Sequence, residues 1–174
     1  MENNKLITKI TTGKGVLRYP NLTKKRENRQ GDNRPSKYGT TFIISKDDKE
    51  TIEKIQEAIH NAAIKGNIDD CDNLTSPLKD GDMSYPGERI FENSLYMYAS
   101  TLIMPKIVDK KVNKLLVSDD YLNGKYAKLN VDFVAYKYNG KVGISVQLYN
   151  VQVFEQSRLE ELRSDPLDDF DVED

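Results

Sequence analysis

The sequence predicts a mainly β protein: an OB-type antiparallel barrel of five strands, or slightly elaborated, with one principal α-helix between strands 3 and 4. Three observations carry this. Leu129, Val131, Phe133 and Ala135 alternate with Lys128, Asn130, Asp132, Tyr136 and Tyr138, the period of a strand with one buried face. Asn139-Gly140 follows at once, the pair favoured in a type I′ hairpin because both positions take positive φ. Helical spacing occurs in one place, at Ile52, Ile55, Ile59, Ala62 and Ala63, between β-rich segments.

In chain order, Leu6, Ile7 and Ile10, then Gly13-Lys14-Gly15, then Val16 to Tyr19 read as two short strands around a glycine turn, the second ended by Pro20. After Leu22 the chain is polar and basic to Lys37, so it reads as a mobile loop. Tyr38 to Ile44 is β-branched and aromatic, a third strand. Ser45, three residues before Asp48, resembles a helix start, and Gly66 a stop. Residues 67 to 89 are a long aperiodic connection. Phe91, Leu95, Met97 and Ala99 share one parity and Tyr96 and Tyr98 the other, which predicts a strand with both tyrosines outward. A lysine-rich loop follows, with Lys106, Lys110, Lys111 and Lys114. Beyond the hairpin, Val142, Ile144, Val146 and Leu148 alternate until the parity switches to Val151 and Val153, predicting a bulge near Tyr149 and Asn150. A generic α+β sandwich fits the same order nearly as well.

At 174 residues the chain suits one domain, 1–154, with an acidic tail at 155–174 that holds a short helix at 155–163. No apolar run has the length of a membrane span or a signal peptide, and the single Cys71 has no disulfide partner, so a cytoplasmic protein with no membrane partner is expected. The net charge of −2 conceals a polarity: residues 1–38 carry +7 and residues 155–174 carry −7. Removing the last ten residues, with six acids and no base, leaves a body of +4. A basic body with a separate acidic tail is the pattern of a polyanion binder, although solvated surface charge gives the same count.

One His and one Cys leave no parts for a zinc centre or a His- or Cys-dependent nucleophile, and no phosphate-cradling glycine motif is present. No cofactor and no catalytic residue is expected. The acid pairs Asp69-Asp70, Asp80/Asp82 and Asp119-Asp120 keep one enzymatic alternative open, a Mg²⁺-dependent nuclease, against the ordinary use of Asp in turns. The chain does combine tyrosine with lysine and arginine, holding ten Tyr and no Trp. Tyr96, Tyr98, Tyr136 and Tyr138 are placed outward by parity, with Tyr149 beside them, near Lys106, Lys128 and Lys137. Arg18 and Tyr19 precede a basic loop of Lys24, Lys25, Arg26, Arg29, Arg34 and Lys37 that ends at Tyr38. Rings that stack on bases beside cations that neutralise phosphates suit single-stranded nucleic acid, while tyrosine is also simply a good strand residue. In the tail, Asp168, Asp169, Phe170, Asp171, Glu173 and Asp174 suit recruitment of a partner protein, competition with a polyanion for the basic body, or mere solubility.

Leu17-Arg18-Tyr19-Pro20-Asn21-Leu22, Pro77-Leu78-Lys79-Asp80-Gly81-Asp82, Lys106-Ile107-Val108-Asp109, Tyr136 through Ile144, Leu148 to Gln152 and Asp168-Asp169-Phe170 together resemble a family of phage and prophage single-stranded-DNA-binding proteins of Gram-positive hosts. The resemblance spans nearly the whole chain and departs after Gln152, where Glu155 to Arg163 replace a glycine-rich stretch. It implies a non-enzymatic OB-fold protein that coats DNA during phage replication or recombination in the host cytoplasm. Its implied partners are single-stranded DNA, replication or recombination proteins reached through the tail, and a second copy in a homodimer. A module acting through the acidic tail alone is the remaining alternative.

Overall fold

The computed structural model describes residues 5–68 and 74–174; Asp69, Asp70 and Cys71 lie outside them. Eight strands join one sheet: β1 (Lys9–Thr11), β2 (Gly15–Asn21), β3 (Tyr38–Ser45), β4 (Lys79–Asp80), β5 (Ser94–Thr101), β6 (Lys106–Val108), β7 (Lys125–Tyr138) and β8 (Lys141–Ser157). The helices are α1 (Lys49–Lys65) and the four-residue turns α2 (Gly81–Ser84), α3 (Asp119–Leu122), α4 (Arg158–Glu161) and α5 (Pro166–Asp169), with a 3₁₀ turn at Arg89–Phe91. The chain is thus mainly β with few helices, as expected.

Pairing runs from β2 to β3, β5, β8 and β7 and returns to β2, while β1 adds to β7, β4 to β5 and β6 to β8. The sheet therefore has more strands than expected and is not wholly antiparallel, because β5 and β6 both run parallel to β8. The first parallel pair is a matter of parity: five strands cannot alternate in direction around a closed circuit without one like-directed pair. Inside lie Leu17, Phe42, Ile44, Met97, Ala99, Leu129, Val131, Phe133, Ile144, Val146 and Leu148, all buried. β6 falls within what reads as a lysine-rich loop; only Ile107 of its three residues is buried, too little pattern to reveal a strand.

α1 follows the third strand in chain order but only the second of the circuit, since β1 stands outside it. Its cap is Asp48, whose carboxylate accepts the Thr51 N–H, while Ser45 accepts the Asp47 N–H in the preceding turn. The buried face is turned from the expected one: Thr51, Ala58 and Asn61 are buried with Ile55, Ala62 and Ala63, and Ile52 and Ile59 are half-buried. Polar ties to the N-terminal segment explain this. Thr51 Oγ1 accepts the Gly13 N–H at 3.0 Å, and Asn61 Nδ2 donates to the Ile7 carbonyl at 2.9 Å.

Pro20 does not end β2. The register moves from Arg18 opposite Thr41 to Asn21 opposite Gly39, so Tyr19 and Pro20 form a bulge, with Tyr19 at φ 51; a proline has no N–H to lose there. Asn139 and Gly140 take φ 49 and 75, a type I′ turn. The expected second bulge is present, since Asn130 faces Asn150 while Val131 faces Leu148. The helix expected at 155–163 is the shorter α4, because residues 155–157 prolong β8.

Candidate nucleic-acid interface

Because Leu17, Phe42, Ile44, Met97 and Ala99 point inward, the residues between them on β2, β3 and β5 point out. Register sorts them into two rows: Val16, Ile43 and Tyr96 lie side by side, and so do Arg18, Thr41 and Tyr98. The first row is roofed. Tyr85 stacks on Phe91 with ring centres 4.0 Å apart, Tyr96 meets both rings edge-on, and Leu159 and Leu162 of the C-terminal segment pack alongside. Tyr126, opposite Val16, donates from its hydroxyl to Glu161 at 2.7 Å. Burial and that carboxylate push the Tyr126 phenol above its ordinary range, and the same hydrogen bond lowers Glu161. The second row is open, with Tyr98 40% exposed.

From Tyr98 a groove continues over β5, β8 and β7. Two tyrosines lie across glycines of neighbouring strands: a Cβ on Gly39 would strike the Tyr98 phenol, and one on Gly143 the Tyr136 ring. Glycine inside a strand leaves room for this approach, so each ring lies low over the sheet. Ser100 sits where three depressions meet. One is lined by Arg26, Arg29, Arg34 and Lys37 with Tyr98, one by Lys79, Tyr98 and Tyr136, and one by Lys37, Gln147 and Tyr149. Tyr136 and Tyr149 are 41% and 40% exposed, and Lys9 stands over the Tyr149 ring at 4.1 Å. Tyr138, 71% exposed, occupies the hairpin end.

The basic loop is anchored at its base. Asp119 accepts the N–H groups of Leu22 and Thr23 at 2.8 and 3.0 Å and the Thr23 hydroxyl at 2.9 Å, and Arg26 N–H donates to the Lys37 carbonyl. At its tip, Asp32 holds Arg34 through Nε and a terminal nitrogen at 3.0 and 2.9 Å. The guanidinium holds the Asp32 carboxyl at about 2, and Asp32, with a smaller influence from the Tyr138 phenol, raises Arg34. Arg34 thus carries its own counterion, a pairing its position in the sequence does not announce. Lys25 faces the Tyr38 ring at 5.8 Å, and Arg18 covers that of Tyr19 at 4.5 Å.

Arg18, Arg26, Arg29, Arg34, Lys37, Tyr98 and Tyr136 are therefore brought to one side, with Tyr96 beneath the roof. Lys24 and Lys106 line a different cleft. Lys128 sits eight residues before Tyr136 on β7, roughly 27 Å away at strand rise, and Lys137 has the parity opposite to Tyr136 and Tyr138. Sequence reasoning missed Ser100 and Lys79 as groove residues; Gly39 and Gly143, glycines within strand patterns, were the available signal. The acids that suggested a metal are engaged within the protein. Asp80 and Asp82 both hold Lys46, at 3.1 and 2.7 Å, and Asp82 accepts the Asn93 N–H at 3.0 Å. Among the described residues no helix is long and apolar enough to cross a membrane.

A closed β circuit with flat aromatic rings and cations on one open outer face defines a binder of extended, unpaired polyanions. The chain belongs to the family described as Enterobacter phage Enc34, ssDNA-binding protein, whose model matches residues 8–174. It is a phage single-stranded-DNA-binding protein rather than an enzyme, as its motifs suggested. Among solved structures it is similar to the single-stranded DNA-binding protein from bacteriophage Enc34 in C-terminally truncated form, at 18% identity and TM-score 0.73 over 90% of this chain and 98% of that one. The same phage protein in complex with ssDNA matches at 18% identity and TM-score 0.69, over 84% and 85%. The single-stranded DNA binding protein gp2.5 of bacteriophage T7 matches at 15% identity and TM-score 0.61, over 91% and 96%. No curated protein matches the sequence.

Proposed function

We propose that this protein binds single-stranded DNA without sequence preference along the groove that joins Tyr98, Ser100 and Tyr136, coating and protecting it during phage replication or recombination in the bacterial cytoplasm. The observation that carries this is the pair of tyrosines lying over Gly39 and Gly143 beside the basic loop. A flat ring offers a stacking surface to any base, whereas sequence reading needs hydrogen-bonding edges. Arg18, Arg26, Arg29 and Lys37 neutralise phosphates, with Lys24, Lys25, Arg34, Tyr19, Tyr38, Tyr138 and Lys137 at the margins. The five-strand circuit is read as the OB barrel, with α1 displaced to follow its second strand. Residues 155–174 contribute the acidic tail, whose exposed end recruits replication or recombination proteins.

Fluorescence anisotropy with short homopolymer strands and a matching duplex tests this reading, using the full chain and a form ending at Ser164. Single strands of different base composition are expected to bind alike and ahead of duplex, with affinity falling steeply as salt rises because phosphate neutralisation releases counterions. The shortened form, without six carboxylates, is expected to bind more tightly. Preference for duplex would overturn the assignment.

A further inference from the structure

The connection from β5 to α3 folds around a second concavity that shares no residue with the groove. Met104, Pro105, Ile107, Leu115, Leu116 and Val117 form its floor, and Lys24, Lys106 and Lys114 stand in its lining. Its volume is about 850 Å³, against 430 Å³ for the depression under the basic loop. Leu116 is 83% exposed. An apolar hollow among cations, left open to water, fits an acidic segment that itself carries large apolar side chains.

The same chain holds such a segment. Leu167, Phe170 and Val172 are 75%, 74% and 87% exposed among six carboxylates. Among the described residues, the hydrogen bonds of 165–174 go only to one another and to Ser164. We propose that the cleft is the docking site of this chain's own residues 165–174, with Leu167 and Phe170 entering the floor and the neighbouring carboxylates meeting Lys24, Lys106 and Lys114. The chain geometry supplies the reach. Arg158 N–H donates to the Gly124 carbonyl at 2.8 Å, so α4 sits where the connection leaving the cleft at Ser118 arrives. The six steps from Ser118 to Gly124 span at most about 20 Å, and the eight from Leu162 to Phe170 reach up to roughly 26–29 Å. A tether of that length presents the tail at an effective concentration on the order of millimolar, which a second molecule in dilute solution does not match. Docking leaves the DNA groove open, so the tail is held ready for exchange onto a partner without displacing DNA.

The chain contains no tryptophan, so Phe170→Trp in the full-length protein makes tail position a single fluorescence signal. The expected result is emission blue-shifted from that of the free 165–174 peptide bearing the same change. The shift should be independent of protein concentration and unchanged when a homopolymer DNA strand is added. Adding Leu116→Ser or Lys114→Glu, both at exposed positions outside the DNA groove, should return emission to the peptide value while the protein still binds single strands. Emission equal to the peptide's in the parent protein would overturn the proposal. So would a shift that survives both cleft substitutions and is abolished by DNA, which would put the tail in the groove. A shift that grows with protein concentration would make the docking intermolecular and overturn the assignment to the chain's own tail.

Discussion

Two adjacent rows cross the same three strands, one pair of residues apart, and meet opposite fates. Val16, Ile43 and Tyr96 form a floor under Phe91 and Tyr85; Arg18, Thr41 and Tyr98 form a floor under nothing. Tyr96 and Tyr98 share strand, parity and chemistry, so intrinsic preference does not separate them. What separates them is a roof supplied by residues 81–91 and by α4. The lesson concerns cause: strand alternation decides which side a ring faces, and whatever chain returns over that side decides whether the ring becomes core or contact surface.

Removing the roof's centre gives the largest expected effect. Phe91 is fully buried between Tyr85 and Tyr96, so Phe91→Ala should cost about 3–5 kcal/mol of stability, the range for an aromatic side chain deleted from a core. Urea unfolding measures this, and the protein that remains folded should bind single strands as before. If affinity in the folded state fell with stability, the two rows would not be independent. Tyr98→Ala and Tyr136→Ala should behave in reverse, each removing about 1–3 kcal/mol of single-strand affinity, as for loss of one stacked base. Anisotropy titration at fixed salt reads that loss. Their unfolding midpoints should move far less than that of Phe91→Ala, since both rings are two-fifths exposed.

The legible and illegible parts of the molecule divide along the same line. Local rules reach what local sequence determines: the alternation of β7, the Asn139-Gly140 turn and the parity switch at Tyr149, each with a counterpart in the coordinates. Phe91 shows where they stop. It shares parity with Leu95 and Met97 and so reads as strand, yet it belongs to a 3₁₀ turn that folds back over β3 and β5. Parity is blind to such a return, because burial beneath a crossing segment is set by distant contacts. The cations pose the same difficulty. Lys106 and Lys128 add to the charge count as Arg26 and Lys37 do, but only the pairing of β6 with β8 and the length of β7 reveal that they stand elsewhere. Family motifs carried the function across this gap, since they do not depend on knowing which ring is covered.

The smallest effect tests how the roof is fastened. Lys46, one residue beyond β3, holds Asp80 and Asp82 on the segment leading to Phe91, and Asp82 also accepts the Asn93 N–H. Both carboxyls lie below their ordinary value of 3.8, chiefly through hydrogen bonds from Lys46. A carboxyl depressed in the folded state stabilises it above the unfolded value and loses that contribution as pH falls through the folded one. Lys46→Met should therefore lower the melting temperature slightly at pH 5 to 7, within the range of a solvent-screened surface pair. The gap from the parent protein should narrow below about pH 4, as the carboxylates take up protons in both. Thermal unfolding across pH 3 to 7 supplies the comparison. A gap that widened with acid would mean that Lys46 restrains the roof through packing of its stem and not through charge, leaving the covered row held by apolar contact alone.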